Sequence, residues 1–244
     1  LKHLICHLFP AKQHGTWRRT VQHILARREL FDGLKLVSIA VDHSTDLPRE
    51  AVSAFRRHGF DCQIVDNDVG LGEGASFGGM LEHVTKFPGE TFYCHAKGST
   101  HAPDAPSQRW ADLMFHLCLD YPDRTSAILH DNPIAGPCRR IEKRMGVDWH
   151  YSGTFFWFRN QELAQPKTQD RNCVERWPAE NFAVGADLGL ADCRNLYDEI
   201  NWRSWITGRF RKEILWDASR KADRVKREGL LETAFEPLGV IYAE

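Results

Sequence analysis

The chain has 244 residues, 42% hydrophobic and 27% charged, which excludes wholesale disorder. At roughly 100–200 residues per domain it points to one large α/β unit. Lys+Arg number 32 against 33 Asp+Glu, so a net charge of -1 creates no field that would draw nucleic acid. No apolar run approaches the ~18 residues of a membrane span. The chain begins at Leu1 and not at Met, so the lack of a signal peptide here carries no weight. The 7 cysteines are scattered with no C-x-x-C pair, which argues against a zinc ribbon and for reduced, core-filling thiols of a cytoplasmic protein. The 12 histidines include no H-E-x-x-H.

In chain order, residues 1–9 read as a buried strand ending at Pro10, and residues 16–30 as a helix with Trp17, Val21, Ile24 and Leu25 on one face. Leu34 to Val41 is a second strand, stopped by Asp42. Pro48 opens a helix that Gly59 closes, and Asp61 to Val65 is a third strand. A glycine-rich stretch leads to a helix around Met80–Val84, then Thr91 to Cys94 is a fourth strand. Strand–helix alternation of this kind predicts parallel strands with right-handed crossovers and a ligand at their carboxyl ends. A helix over 109–119, an apolar strand over 151–158 and a basic helix over 203–228 complete the reading. The expected division is 1–202, with a nucleotide-binding half (1–101) and a mixed half that completes the pocket (102–202), followed by a helical extension over 203–244.

Four stretches carry chemistry. Residues 65–79 hold 5 glycines ahead of a helix, a place where open amides and the helix dipole favour an anion. Their spacing fits neither the dinucleotide fingerprint nor a P-loop. His95-Ala96-Lys97-Gly98, at the end of the fourth strand, offers two basic groups that would neutralise a diphosphate. In residues 148–159 the four aromatics Phe155–Phe158 read as core, whereas Trp149, His150 and Tyr151 offer flat faces and Ser152 a hydroxyl for a sugar ring. Glu175 and Glu180 flank a Trp-Pro corner, where a carboxylate raised by burial would serve as a base.

With His7-Leu8-Phe9-Pro10, Trp17 and Phe31-Asp32-Gly33, these stretches make the chain resemble a GT-A glycosyltransferase, of the nucleotide-diphospho-sugar transferase superfamily. The resemblance spans residues 1 to about 182. It implies a mostly parallel sheet flanked by helices and a UDP- or GDP-type sugar donor held by Pro10, Asp42, Asn67, Gly70, Gly72 and Glu73, with His95, Lys97 and Gly98 on the diphosphate. A glycan or lipid-linked acceptor would meet Trp149, His150, Tyr151, Ser152 and Gly153. Inversion would need one base, first Glu175 and then Glu180. The superfamily's Asp-x-Asp is replaced by His95-Ala96-Lys97, so a divalent metal (Mn or Mg) has no evident holder and no metal ligand is assigned. The expected activity is hexosyl or related transfer in surface polysaccharide synthesis. An inactive sugar-binding relative is the rival, and a Rossmann methyltransferase is disfavoured because the loop after the first strand has a single glycine. Residues 203–228 carry 9 Lys/Arg against 4 acids, which suggests peripheral contact with an anionic membrane at the inner face.

Overall fold

The structure, a computed structural model, describes residues 1–189 except 46, 47, 104, 105, 142, 144, 161, 162 and 168. The basic stretch 203–228 and the expected boundary at 202 lie outside the described residues.

A central seven-stranded sheet is laid out in the order β3-β2-β1-β4-β8-β5-β9. Its parallel half is β1 (Lys2–Leu8), β2 (Lys35–Val41), β3 (Asp61–Asp66) and β4 (Glu90–His95). β1 and β4 are buried almost throughout because helices cover both faces, which is why their sequences run apolar without alternation. The helices show the spacing that this demands. α1 (Trp17–Ala26) buries Trp17, Thr20, Val21 and Ile24, α2 (Pro48–Arg56) buries Ala51 and Phe55, and α3 (Gly74–Val84) buries Phe77, Met80, Leu81 and Val84.

The chain steps outward from β1 to β2 to β3 and then returns to the other side of β1 for β4. The order therefore reverses between β1 and β4, the place in open α/β sheets where ligands bind, at the carboxyl ends of the strands. α4 (Pro106–Leu119) and α5 (Pro122–Asp131) follow. β5 (Ile134–Gly136), the short pair β6 (Arg139–Arg140) and β7 (His150–Tyr151), and β8 (Phe156–Arg159) come next, then α6 (Cys173–Asn181) and β9 (Ala186–Asp187). β8 runs antiparallel to both β4 and β5, so the sheet is mixed in its second half.

The apolar strand expected over 151–158 is two strands. Gly153 (φ 98°) and Thr154 (φ 57°) turn the chain between β7 and β8. The four aromatics 155–158 are fully buried, as their density required. Trp177 packs edge-on against Phe77, with ring centroids 5.3 Å apart, and stacks on Phe156 at 5.8 Å, which joins α3, α6 and β8 in one core. Among the described residues no helix is long and apolar enough to cross a membrane.

Candidate functional site at the carboxyl edge of the sheet

The parallel strands deliver four of the expected donor contacts to one edge. Pro10 follows β1, Asp42 follows β2, Asn67 follows β3, and His95 ends β4. Asp42 is organised by its neighbours: its carboxylate accepts from the Ser44 amide (2.7 Å), the Ser44 hydroxyl (2.6 Å) and Asn67 Nδ2 (2.6 Å). Those bonds, that of Ser44 foremost, hold its carboxyl below the ordinary range, so Asp42 is an anion with acceptors only. The loop after β1 is tied to the loop after β2 by the Lys12 amide, which donates to the Ser44 carbonyl at 2.9 Å, and by an Ala11–Thr45 bridge.

At the switch between β1 and β4 lies a polar cluster that joins three of the four sequence motifs. Glu73, just before α3, stands 3.0 Å from His95 Nδ1. Its carboxyl also accepts from the Tyr93 hydroxyl (2.7 Å) and the Thr154 hydroxyl (2.9 Å). His95 Nε2 donates to the Gly153 carbonyl (3.2 Å), since a carbonyl can only accept. His7 is the register partner of His95, and its Nδ1 lies 2.8 Å from the Ser76 hydroxyl on α3. Burial pushes Glu73 up, His95 down to about 3 and His7 down to about 4. Both histidines are therefore neutral near pH 7 and Glu73 takes up a proton more readily than an ordinary glutamate, although Glu73 and His95 keep 15% and 18% of their side chains exposed.

This corrects one expectation. His95 is not a cation for a diphosphate, because desolvation, with Lys97 beside it, keeps its ring neutral. A cation at this edge is Lys97, whose Nζ lies 4.2 Å from the centroid of the Trp110 ring. Gly98 (φ 71°) turns the chain directly after it, and a Cβ there would come within 2.7 Å of Ser107 and Gln108. Gln108 donates to the Gly98 carbonyl at 2.6 Å and Thr16 to the Ser99 carbonyl at 2.9 Å, which fixes the loop.

The glycine-rich loop differs from expectation as well. The Gly70 and Leu71 amides donate to Asp68 Oδ1, and those of Gly72 and Gly74 to the carbonyls of Asp68 and Leu71. These amides are already satisfied within the loop and are not presented to a ligand. Gly74 serves close approach instead: a Cβ there would meet Cys173 Sγ at 2.4 Å, where α6 packs on the loop.

In the second half, Trp149 and Tyr151 are core residues with their rings 5.3 Å apart. Trp149 Nε1 donates to the Phe182 carbonyl and the Tyr151 hydroxyl to that of Ala186. Their flat faces are covered by protein, so the expected stacking on a sugar is not available from them. His150 is fully buried, with Nε2 3.6 Å from Glu175 Oε1. Ser152 is half-buried, its amide bonded to the Cys138 carbonyl. Glu180 lies 3.6 Å from Arg176 and accepts from the Lys167 amide at 3.2 Å. It lines an open cavity of about 530 Å³ together with Met145, Asp148, Asp170 and Arg176.

A divalent metal does not fit the residues at the Asp-x-Asp position. Both His95 nitrogens face protein groups, and an ammonium cannot ligate a metal. Among the described residues no group of three or more His, Cys, Asp or Glu is arranged to hold one. Sequence reasoning missed Tyr93, Thr154, His7 and Ser76 as members of the cluster. Only the alignment of β1 with β4 brings the two histidines together, and nothing local announces it.

No family model and no curated protein matches the chain. Among solved structures it is similar to 4-diphosphocytidyl-2C-methyl-D-erythritol synthase of Anaerococcus prevotii (8% identity, 77% of this chain and 87% of that one, TM-score 0.39). It is also similar to a Desulfovibrio desulfuricans protein assigned to the nucleotide-diphospho-sugar transferases (12%, 90% and 95%, 0.39). A third is a mannosyltransferase of Pyrobaculum calidifontis in complex with GDP-Man and Mn²⁺ (10%, 98% and 70%, 0.36). These likenesses are distant and say nothing of what this chain binds.

Proposed function

We propose that the chain is a GT-A glycosyltransferase that moves a sugar from a UDP- or GDP-type donor to a glycan or lipid-linked acceptor, in surface polysaccharide synthesis. The observation that carries this reading is Lys97, a cation held over Trp110 beside a glycine turn, at the strand ends where the strand order reverses. Negative charge grows on the leaving diphosphate as the glycosidic bond breaks, and a fixed ammonium in a partly dry cleft stabilises it. Asp42 and Asn67, bonded to each other two and three strands from β4, would face the nucleoside. Glu175 is the candidate base for the acceptor hydroxyl, since its carboxylate is 24% exposed, whereas Glu180 is drawn to Arg176 and the Lys167 amide. Retention of the nucleotide without transfer is the second reading, favoured by the neutral His95–Glu73 pair where carboxylates and a metal would act.

Calorimetry of UDP and GDP in EDTA, then with Mn²⁺, tests the donor site. Binding should be metal-independent and weaken roughly 10–100-fold in Lys97→Ala, the size of one lost charged hydrogen bond. Binding that requires Mn²⁺ and ignores Lys97 would contradict it.

A further inference from the structure

The Glu73–His95 pair has a proton count that the hydrogen bonds define. Nε2 of His95 carries a proton, because its partner is the Gly153 carbonyl. If the ring is neutral, Nδ1 presents a lone pair to Glu73 Oε2 at 3.0 Å, and two lone pairs would repel. The Glu73 carboxyl must then hold the proton and donate it to Nδ1. Oε2 still accepts from Tyr93, and Oε1 from Thr154. One proton between Nδ1 and Oε2 satisfies every hydrogen bond of the pair, and burial, which disfavours the imidazolium, puts it on Glu73.

The other partner of this pair is a strained turn. Thr154 has φ 57°, a conformation that a β-branched residue rarely adopts, and its hydroxyl bonds to Glu73. Gly153, whose carbonyl His95 holds, packs so tightly on α4 that a Cβ would lie 3.0 Å from the Trp110 ring. The same ring carries Lys97. One buried carboxyl thus reaches the turn directly and the Lys97 loop through His95 and Trp110.

We propose that Glu73 is the positioning residue of this edge: its carboxyl carries the single proton it shares with His95, and so holds the 152–154 turn and Lys97 in their places. The inference deepens the reading of Lys97 as the diphosphate contact and rests on it for what the arrangement serves. The charged and titratable groups facing the pair are His7 on β1, Tyr93 on β4, Lys97 after it and Cys173 on α6. Burial favours the neutral form of both partners, and Lys97 adds to this for His95.

The test uses the full chain labelled with ¹⁵N-histidine, as wild type, Glu73→Gln and Glu73→Ala. At pH 7 the His95 ring should show a protonated Nε2 and an unprotonated, hydrogen-bonded Nδ1. Glu73→Gln, whose amide also donates, should keep that signature and slow amide exchange over residues 152–155. Glu73→Ala should lose the Nδ1 bond, speed that exchange and weaken UDP binding about tenfold, the cost of losing an ordering hydrogen-bond network. An imidazolium at pH 7, a proton on Nδ1, or a Gln variant as damaged as Ala would overturn the inference. If Glu73→Ala does not fold, Thr154→Val replaces it, and unchanged exchange at the turn would be equally damaging. Should UDP and GDP bind none of the proteins while the ring and exchange results hold, the positioning role stands and the nucleotide reading falls.

Discussion

Thr154 (φ 57°) carries the backbone strain at the candidate site, beside Gly153 (φ 98°), which adopts positive φ freely, in a turn that no repeat of apolar residues could announce. A Cβ on Gly153 would stand 2.7 Å from Met114 Sδ and 3.0 Å from Trp110 Cζ2, at φ 98°. The methionine can move aside; the indole, wedged under Lys97, cannot do so without shifting the loop. Gly153→Ala should therefore lose about 2 kcal/mol in urea unfolding, from backbone strain and overpacking together. A midpoint equal to wild type would show that the turn is looser than its contacts imply. The neutrality of His95 is a lesson at the same scale. A histidine two residues from a lysine reads as a second cation, and only burial, which sequence does not display, removes its charge.

Between elements, α1 and α4 are joined by ions as much as by apolar contact. Arg19 makes two 2.5 Å bonds to Asp112, which His23 also approaches at 2.8 Å. Arg27 and His116 both bond to Asp120, the latter at 2.6 Å. Burial alone would raise the Asp120 carboxyl, but the bonds from His116 and Arg27 outweigh it and hold it at about 2, below the ordinary 3.8. A carboxyl depressed in the folded state adds stability above its unfolded value, and loses it as pH falls from about 4 towards 2. Asp120→Asn should cost about 2 kcal/mol at pH 7, with the difference from wild type shrinking as pH falls through 4 and vanishing only below pH 2. A penalty independent of pH would mean that shape, not charge, makes the contact. Elements also mark where sequence reading failed. α6 was concealed by Pro178 inside it, so residues 174–182 read as a corner. α5 and β5 lie in a stretch that has little apolar periodicity, and their places come from packing on β8 and the sheet edge.

Across the whole molecule, the parallel half was legible because strands buried on both faces must be apolar throughout and the intervening helices must show one apolar stripe. The strands β1, β2 and β4 and helices α1 to α3 follow from that rule, β3 being a largely exposed edge strand, and with them the edge where Asp42, Asn67, His95 and Lys97 gather. The mixed half was not legible in the same way, since its short strands take their order from partners far along the chain. Trp149 and Tyr151 show the cost: amphipathic rings suit a sugar or a core equally well, and here they close the core. The account's central claim is that this edge is a nucleotide-sugar site whose essential cation is Lys97. The measurement closest to it is release of nucleoside diphosphate from a panel of UDP- and GDP-sugars by the full chain in EDTA, beside Lys97→Ala and Glu175→Gln. The account predicts slow release from at least one donor by wild type without metal, abolished in Lys97→Ala and much reduced in Glu175→Gln. Release that persists unchanged in Lys97→Ala, or that occurs only with Mn²⁺, would contradict it.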